Sequence, residues 1–304
     1  MKKFFFIFFL ILFSGAVFYA FWPKDWNSKL ASPWIGKGSS GANLWFPQVM
    51  GVTLDEAPEI TAKSAYFIDI DSGKVLYSKM EHARLPVASL VKIMTVIVAL
   101  KNMEWQDKVY ISQKAASMEP DHMELIAGEK LSVEELLDGV FLVSANDAAE
   151  ALAEAALGDR EEFIKQMNLQ VELLGIKDTL FINPTGLQEE GRDQYSSAYD
   201  MALMSRYAIK HFPHTVDISS LPHILLPRTL THQDYDLYSG INLLTTYPGV
   251  LGFKTGYTPE AGLTLVTLAK KDGHEVLGVI LNSEYRRDEA RSLLDYSFKK
   301  LAGI

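Results

Sequence analysis

Lys2 and Lys3 precede an uncharged apolar run from Phe4 to Trp22, 19 residues long. At ~1.5 Å per residue, a helix of that length nearly spans a ~30 Å hydrocarbon core. Cations ahead of the run and few just after it predict a cytoplasmic N-terminus and an exported remainder. Two readings stay open. A cleaved signal peptide would use Phe4–Phe13 as its apolar core and Ser14, Gly15 and Ala16 as its exit. An uncleaved signal anchor would use the whole run, with Tyr19 and Trp22 at the outer interface. The length favours the anchor. Residues 23–60 then lose all periodicity and collect breakers, among them Pro23, Pro33, Gly36, Gly38, Gly41, Pro47 and Pro58. Gly36-Lys-Gly-Ser-Ser-Gly41 spells a dinucleotide fingerprint, but no strand pattern precedes it, so the stretch is a spacer.

From Ala62 the pattern becomes that of a folded body. Ala65–Ile70 and Lys74–Ser78 flank Asp71-Ser-Gly73 as a predicted hairpin. Helical periodicity follows over Ser89–Lys101, Val133–Leu142, Asp147–Leu157, Glu161–Leu174 and Tyr199–Lys210. Leu263–Ala269 and Glu275–Asn282 predict two further strands, joined by a tight turn at Lys270-Lys-Asp-Gly273. Arg286–Leu301 closes the chain as an amphipathic helix. Strand pair, helical middle, strand pair and helix together imply an α+β fold, an antiparallel sheet flanked by helices with a helical subdomain, whose sheet joins both ends of the body. The expected organisation is 1–22 as signal anchor or signal peptide, 23–61 as linker and 62–304 as one folded domain.

Composition narrows the class. The 304 residues are 48% hydrophobic, 11% aromatic and 22% charged, an ordinary globular balance. A formal charge of −9 speaks against nucleic acid as a partner. The absence of cysteine excludes disulfides, thiolate zinc sites and cysteine nucleophiles. None of the seven histidines stands in an HExxH pattern, and Pro213 interrupts the pair His211 and His214, so neither metal nor cofactor is expected.

Three short elements carry candidate chemistry. Ser89-Leu-Val-Lys92 places a hydroxyl and an amine on one helix face. A lysine can take the proton of a serine only when it is neutral, hence desolvated or beside another cation. The spacing alone means little, since Ser297-Phe-Lys-Lys300 matches it in what reads as a solvated helix end. Ser144-Ala-Asn146 stands in a break between helical patterns, where a helix cap would be an ordinary explanation. Lys254-Thr255-Gly256 follows the apolar run Val250–Phe253. The set, spaced by 52 residues from Lys92 to Ser144 and 110 from Ser144 to Lys254, supplies a nucleophile, a base, a second hydroxyl, an amide and a second cation.

In that combination the sequence resembles the penicillin-recognising serine D,D-peptidases. Within them it resembles the low-molecular-mass D-alanyl-D-alanine carboxypeptidases. Ala88–Thr95, Asn183-Pro-Thr-Gly-Leu187, Ser197–Ala202, Tyr247-Pro-Gly-Val250, Lys254–Thr258 and Ala261-Gly262 match that family's landmarks, so the resemblance covers about Ala62 to Leu301. It implies a β-lactamase/D,D-peptidase-like fold and a peptidoglycan stem peptide ending in D-Ala-D-Ala as substrate, with β-lactams acylating the same serine. It further implies that Ser89 is the nucleophile, Lys92 its base and Ser144 the proton relay. Asn146 would hold the substrate's acyl amide, Lys254 would keep the site electropositive and help depress the proton affinity of Lys92, and Thr255 would face the terminal carboxylate, with Gly256 and Tyr257 completing the substrate-binding set. The N–H groups of Ser89 and Tyr257 would form the oxyanion hole. Many relatives carry an amphipathic membrane anchor at the C-terminus; here Phe4–Trp22, if uncleaved, would do that work at the outer face of the membrane. No arginine stands in Tyr238–Asn242 before Leu243-Leu244, so the sequence assigns no second partner to the substrate carboxylate. The alternatives are a D,D-endopeptidase using the same residues, a class A-like β-lactamase, for which no glutamate loop is evident between Ser144 and Lys254, and a non-catalytic wall-binding protein.

Overall fold

A computed structural model describes residues 57–189, 191 and 194–303. The segment 1–22 and most of the linker lie outside the described residues. Residues 60 and 61 already bond to the body, Ile60 O accepting from Lys79 Nζ at 2.8 Å and Thr61 Oγ1 donating to Glu289 at 2.7 Å. Among the described residues no helix is long and apolar enough to cross a membrane.

Five strands form one antiparallel sheet: β1 (Ser64–Asp69), β2 (Val75–Lys79), β3 (Val250–Thr258), β4 (Gly262–Lys271) and β5 (His274–Ser283), in the order β2-β1-β5-β4-β3. Both ends of the body thus meet in the middle of the sheet, as the pattern predicts. Side chains alternate across a strand, so each strand feeds two separate cores. Tyr66, Ile68, Val266, Leu268, Leu277 and Val279 pack toward the helical body. Phe67, Leu265, Ala269, Val276 and Ile280 pack toward the C-terminal helix with Ala290, Leu293, Leu294 and Phe298. Burial on both faces is why β1 reads as a continuous apolar run and is buried throughout. Gly278 faces Phe67 across the ladder, and a Cβ there would lie 2.3 Å from the ring. The β4–β5 turn is Asp272-Gly273 with φ of +49° and +81°, the two-residue geometry that matches strand twist.

The longer helices are α1 (Lys92–Asn102), α2 (Val133–Leu142), α3 (Asn146–Leu157), α4 (Arg160–Leu173), α5 (Ala198–His211) and α6 (Arg286–Leu301). Helix α1 is buried without a break from Lys92 to Ala99, as expected of a helix enclosed on all sides. Helix α2 opens on a capping box in which Ser132 and Glu135 exchange side-chain and backbone bonds. One expectation needs correction. The segment 88–91 is a 3-10 turn, and the α-helix begins only at Lys92. The apolar run Val250–Phe253 is the first half of an edge strand that continues through Lys254-Thr-Gly-Tyr to Thr258; glycines and polar residues break its alternation.

Helix α2 also carries a buried carboxyl, Asp138, only 4% exposed. Burial, then repulsion from Glu134 and Glu135, raises its pKa to about 7 against the pull of His214. Between 3.8 and 7 the folded state keeps a proton that the unfolded chain has released, so this group's contribution to stability falls as pH rises through that window. Asp138→Asn is therefore expected to melt higher than the parent at pH 8, by up to about 4 kcal/mol, with the difference closing near pH 4. Thermal unfolding at both pH values checks this, and an asparagine variant that is less stable at pH 8 contradicts it.

Candidate active site

The 3-10 turn Ala88–Val91 determines where the first two candidate groups point. Side chains at i and i+3 nearly eclipse in this tighter helix, so Ser89 stacks over Lys92 with Oγ and Nζ 2.9 Å apart. The turn starts with Ala88 at φ +49° and is clamped by two glycines. A Cβ on Gly186 would lie 2.1 Å from Ala88 O, and one on Gly256 would lie 2.9 Å from Ser89 N. The edge of β3 therefore runs directly beside the Ser89 N–H.

Lys92 is completely buried. Its Nζ meets three oxygens: Ser89 Oγ, Asn146 Oδ1 at 2.7 Å and the Thr185 carbonyl at 2.8 Å. Loss of hydration, then repulsion from Lys254, holds its pKa well below the usual lysine value, while Asp121 and Asp147 pull weakly the other way. A neutral amine has two hydrogens and one lone pair. Both carbonyl-type oxygens can only accept, so they take the two hydrogens and the lone pair faces Ser89 Oγ.

Ser144 lies in the break between α2 and α3 at φ +62°. It caps nothing: the residue preceding α3 is Ala145, which makes no side-chain cap bond. Instead its Oγ accepts from Lys254 Nζ at 2.8 Å, and Lys254 also donates to the Thr255 carbonyl at 2.9 Å. Burial lowers the Lys254 pKa to about 7, opposed by Asp121 and assisted by Arg286. Asn146 is committed at both ends of its amide, because Oδ1 accepts from Lys92 and Nδ2 donates to the Pro120 carbonyl at 2.6 Å. One amide hydrogen remains for a substrate.

Thr255 lines a recess with Gly240, Asn242, Leu265 and Arg286. Arg286 Nη1 donates to the carbonyls of Gly256 at 2.8 Å and Thr264 at 3.1 Å. Tyr257, 61% exposed, stands at the rim. Hydrogen bonds thus join Ser89, Lys92 and Asn146 in one cluster and Ser144 to Lys254 in another, while β3 carries Lys254, Thr255, Gly256 and Tyr257 past the Ser89 N–H, where Gly256 makes its close approach. Sequence reasoning missed two contributors. Arg286 belongs to no motif and reaches the site only because β5 ends level with β3, Tyr257 pairing with Leu263 and Leu263 with Ser283. The Thr185 carbonyl belongs to the Asn183–Leu187 landmark, but a backbone oxygen leaves no trace in residue identity. No group of His, Asp and Glu among the described residues could hold a metal ion.

The arrangement pairs one serine hydroxyl with a buried lysine of depressed proton affinity and a second hydroxyl with a second buried lysine, groups that suit acyl transfer. Residues 51–285 match the family model described as D-alanyl-D-alanine carboxypeptidase. The chain is 40% identical over 247 residues to the D-alanyl-D-alanine carboxypeptidase DacF of Bacillus subtilis, covering 79% of this chain and 62% of that relative's length. A crystal structure of D-alanyl-D-alanine carboxypeptidase from Mycobacterium tuberculosis superposes with a TM-score of 0.76 at 29% identity, covering 83% of this chain and 96% of that one. A Streptomyces DD-transpeptidase gives 0.74 at 29% identity, with 80% and 99% covered.

Proposed function

The chain belongs to the D-alanyl-D-alanine carboxypeptidase family, and from that premise we propose that it removes the terminal D-alanine from peptidoglycan stem peptides. Ser89 Oγ attacks the carbonyl of the D-Ala-D-Ala bond as its proton passes to Lys92 Nζ. The tetrahedral oxyanion is met by the N–H groups of Ser89 and Tyr257. Collapse breaks the C–N bond, and Ser144, held by Lys254, relays to the departing amine the proton that Lys92 took from Ser89, which leaves the Lys92 amine neutral again. The terminal carboxylate faces Thr255 and two cations, Lys254 and Arg286; the guanidinium supplies the partner that residues 238–242 lack. Asn146 directs its remaining amide hydrogen to the acyl group. Water then cleaves the acyl-serine and restores the hydroxyl. A β-lactam enters by the same first step, with its strained amide in place of the peptide.

What supports this proposal above all is the completely buried Lys92 amine 2.9 Å from Ser89 Oγ, with both its hydrogens spoken for. The work is done outside the cytoplasm, with Phe4–Trp22 tethering the body to the membrane. Incubating the full chain with a D-Ala-D-Ala pentapeptide and with crosslinked peptide dimers is expected to release free D-alanine from the first and leave the second intact. Cleavage of the dimers without D-alanine release would make it an endopeptidase instead.

A further inference from the structure

Lysine is a long, flexible side chain, and a neutral amine works as a base only if its lone pair is aimed. In this site the aim is set by acceptors that cannot exchange roles. Asn146 Oδ1 is held as the acceptor because the other end of the amide donates to Pro120 O at 2.6 Å. The second acceptor, Thr185 O, lies on a strap formed by residues 183–187, outside regular secondary structure, and a carbonyl on such a segment needs holding.

Two side chains hold it. Asn183 Oδ1 collects four donors: Thr185 N at 3.1 Å, Thr185 Oγ1 at 3.1 Å, Gly186 N at 2.9 Å and Gln194 Nε2 at 2.6 Å. Its Nδ2 closes the loop by donating to Leu187 O at 2.7 Å. From α1, Thr95 Oγ1 donates to Pro184 O at 2.7 Å, one carbonyl before the one that Lys92 uses. Lys92 and Thr95 are three residues apart on one helix face, so consecutive carbonyls of the strap are gripped by consecutive turns of the helix. Both side chains are buried, and neither touches the recess beside Thr255 and Arg286.

We propose that Thr95 and Asn183 are positioning residues, which hold the strap so that its Thr185 carbonyl takes one hydrogen of Lys92 and leaves the lone pair directed at Ser89. This rests on the acyl-serine function proposed above. The charged groups acting on Lys92 are Lys254 on β3, Asp121 in the loop before α2 and Asp147 on α3; none belongs to the strap.

Thr95→Val keeps the branched shape and deletes only the hydroxyl, and Thr95→Ser keeps the hydroxyl. Each full-length variant is acylated with fluorescent penicillin from pH 5 to 9, and D-alanine release is resolved into kcat and KM. In Thr95→Val, acylation is expected to slow about tenfold, less than the ~10²–10⁴-fold lost with the base itself, because the amine remains and is only less well aimed. KM should stay unchanged, and the acid limb should move to lower pH, because the charged amine loses the stronger hydrogen bond. Thr95→Ser recovers most of the rate. The label reached at long times counts folded sites, so a slow variant is distinguished from an unfolded one. A valine variant that matches the parent at every pH, or a serine variant as slow as the valine one, overturns the positioning role. A parent protein that takes no label overturns the acyl-serine function itself.

Discussion

Ser89→Ala is expected to abolish covalent labelling by penicillin and to reduce D-alanine release by about 10⁶-fold, the scale at which a serine peptidase loses its nucleophile. No neighbour can take over. The other hydroxyl nearby, Ser144 Oγ, accepts from Lys254 Nζ, which also donates to the Thr255 carbonyl, so it faces a donor where Ser89 faces a base. The Lys92 amine keeps its two carbonyl partners at 2.7 and 2.8 Å when Ser89 Oγ is removed. The turn itself is held by Leu90 N donating to Val87 O and by the close approach of Gly186 and Gly256, none of which involves the hydroxyl. The alanine variant should therefore melt within about 1 kcal/mol of the parent, as expected for loss of one ordinary hydrogen bond. Thr255 and Arg286 remain, so reversible substrate binding persists while the acyl-enzyme does not form. Mass spectrometry of the protein after incubation with penicillin reads the result directly. An adduct on the alanine variant would place the nucleophile elsewhere.

Why the pair at 89 and 92 differs from its double near the C-terminus is physical, and the sequence pattern does not contain it. Ser297-Phe-Lys-Lys300 has the same spacing and was expected to be a solvated helix end. In fact Ser297 is fully buried against the sheet, while Lys300 reaches back to Leu76 O at 3.0 Å. Spacing puts both pairs on one helix face, and each lysine is repelled by another amine, Lys92 by Lys254 and Lys300 by Lys74, but of the two only Lys92 is completely enclosed. That enclosure comes from β3 and from the strap at 183–187, both remote in sequence. Long periodic elements were readable because one signal dominates them: α2 and α6 have the bounds that their patterns predict. Strand β3 was only half readable because its polar half carries Lys254, Thr255 and Gly256, chosen for chemistry over alternation. Arg286 and the Thr185 carbonyl were not readable at all. One is an arginine outside every motif, delivered by strand register, and the other is a backbone atom.

Lys92→Met is expected to slow acylation of Ser89 by ~10²–10⁴-fold, about 3–5 kcal/mol of barrier, because the serine loses the lone pair that takes its proton. The pH profile separates a base from a mere charge. In the parent, acylation falls as pH drops through the folded-state pKa of Lys92, which enclosure and Lys254 hold well below the usual 10.5, since the protonated amine has no lone pair to offer. The methionine variant has no such limb. Lys92→Arg keeps the positive charge but cannot give up its proton, so it is expected to be as slow as Lys92→Met; an arginine variant with near-parent rates would make charge, and not basicity, the contribution of residue 92. Stability moves in two opposing ways. Between its depressed pKa and 10.5 the folded state binds fewer protons than the unfolded chain, so the buried amine costs stability at neutral pH, and methionine relieves that cost. The same substitution leaves Asn146 Oδ1 and Thr185 O without their donor, which costs stability again. A melting temperature close to the parent's, together with slow but eventually stoichiometric labelling of Ser89, would locate the defect in proton transfer. Fast labelling of the methionine variant would require another group to accept the serine proton, and Lys254, bonded to Ser144, is the only other buried lysine among the described residues.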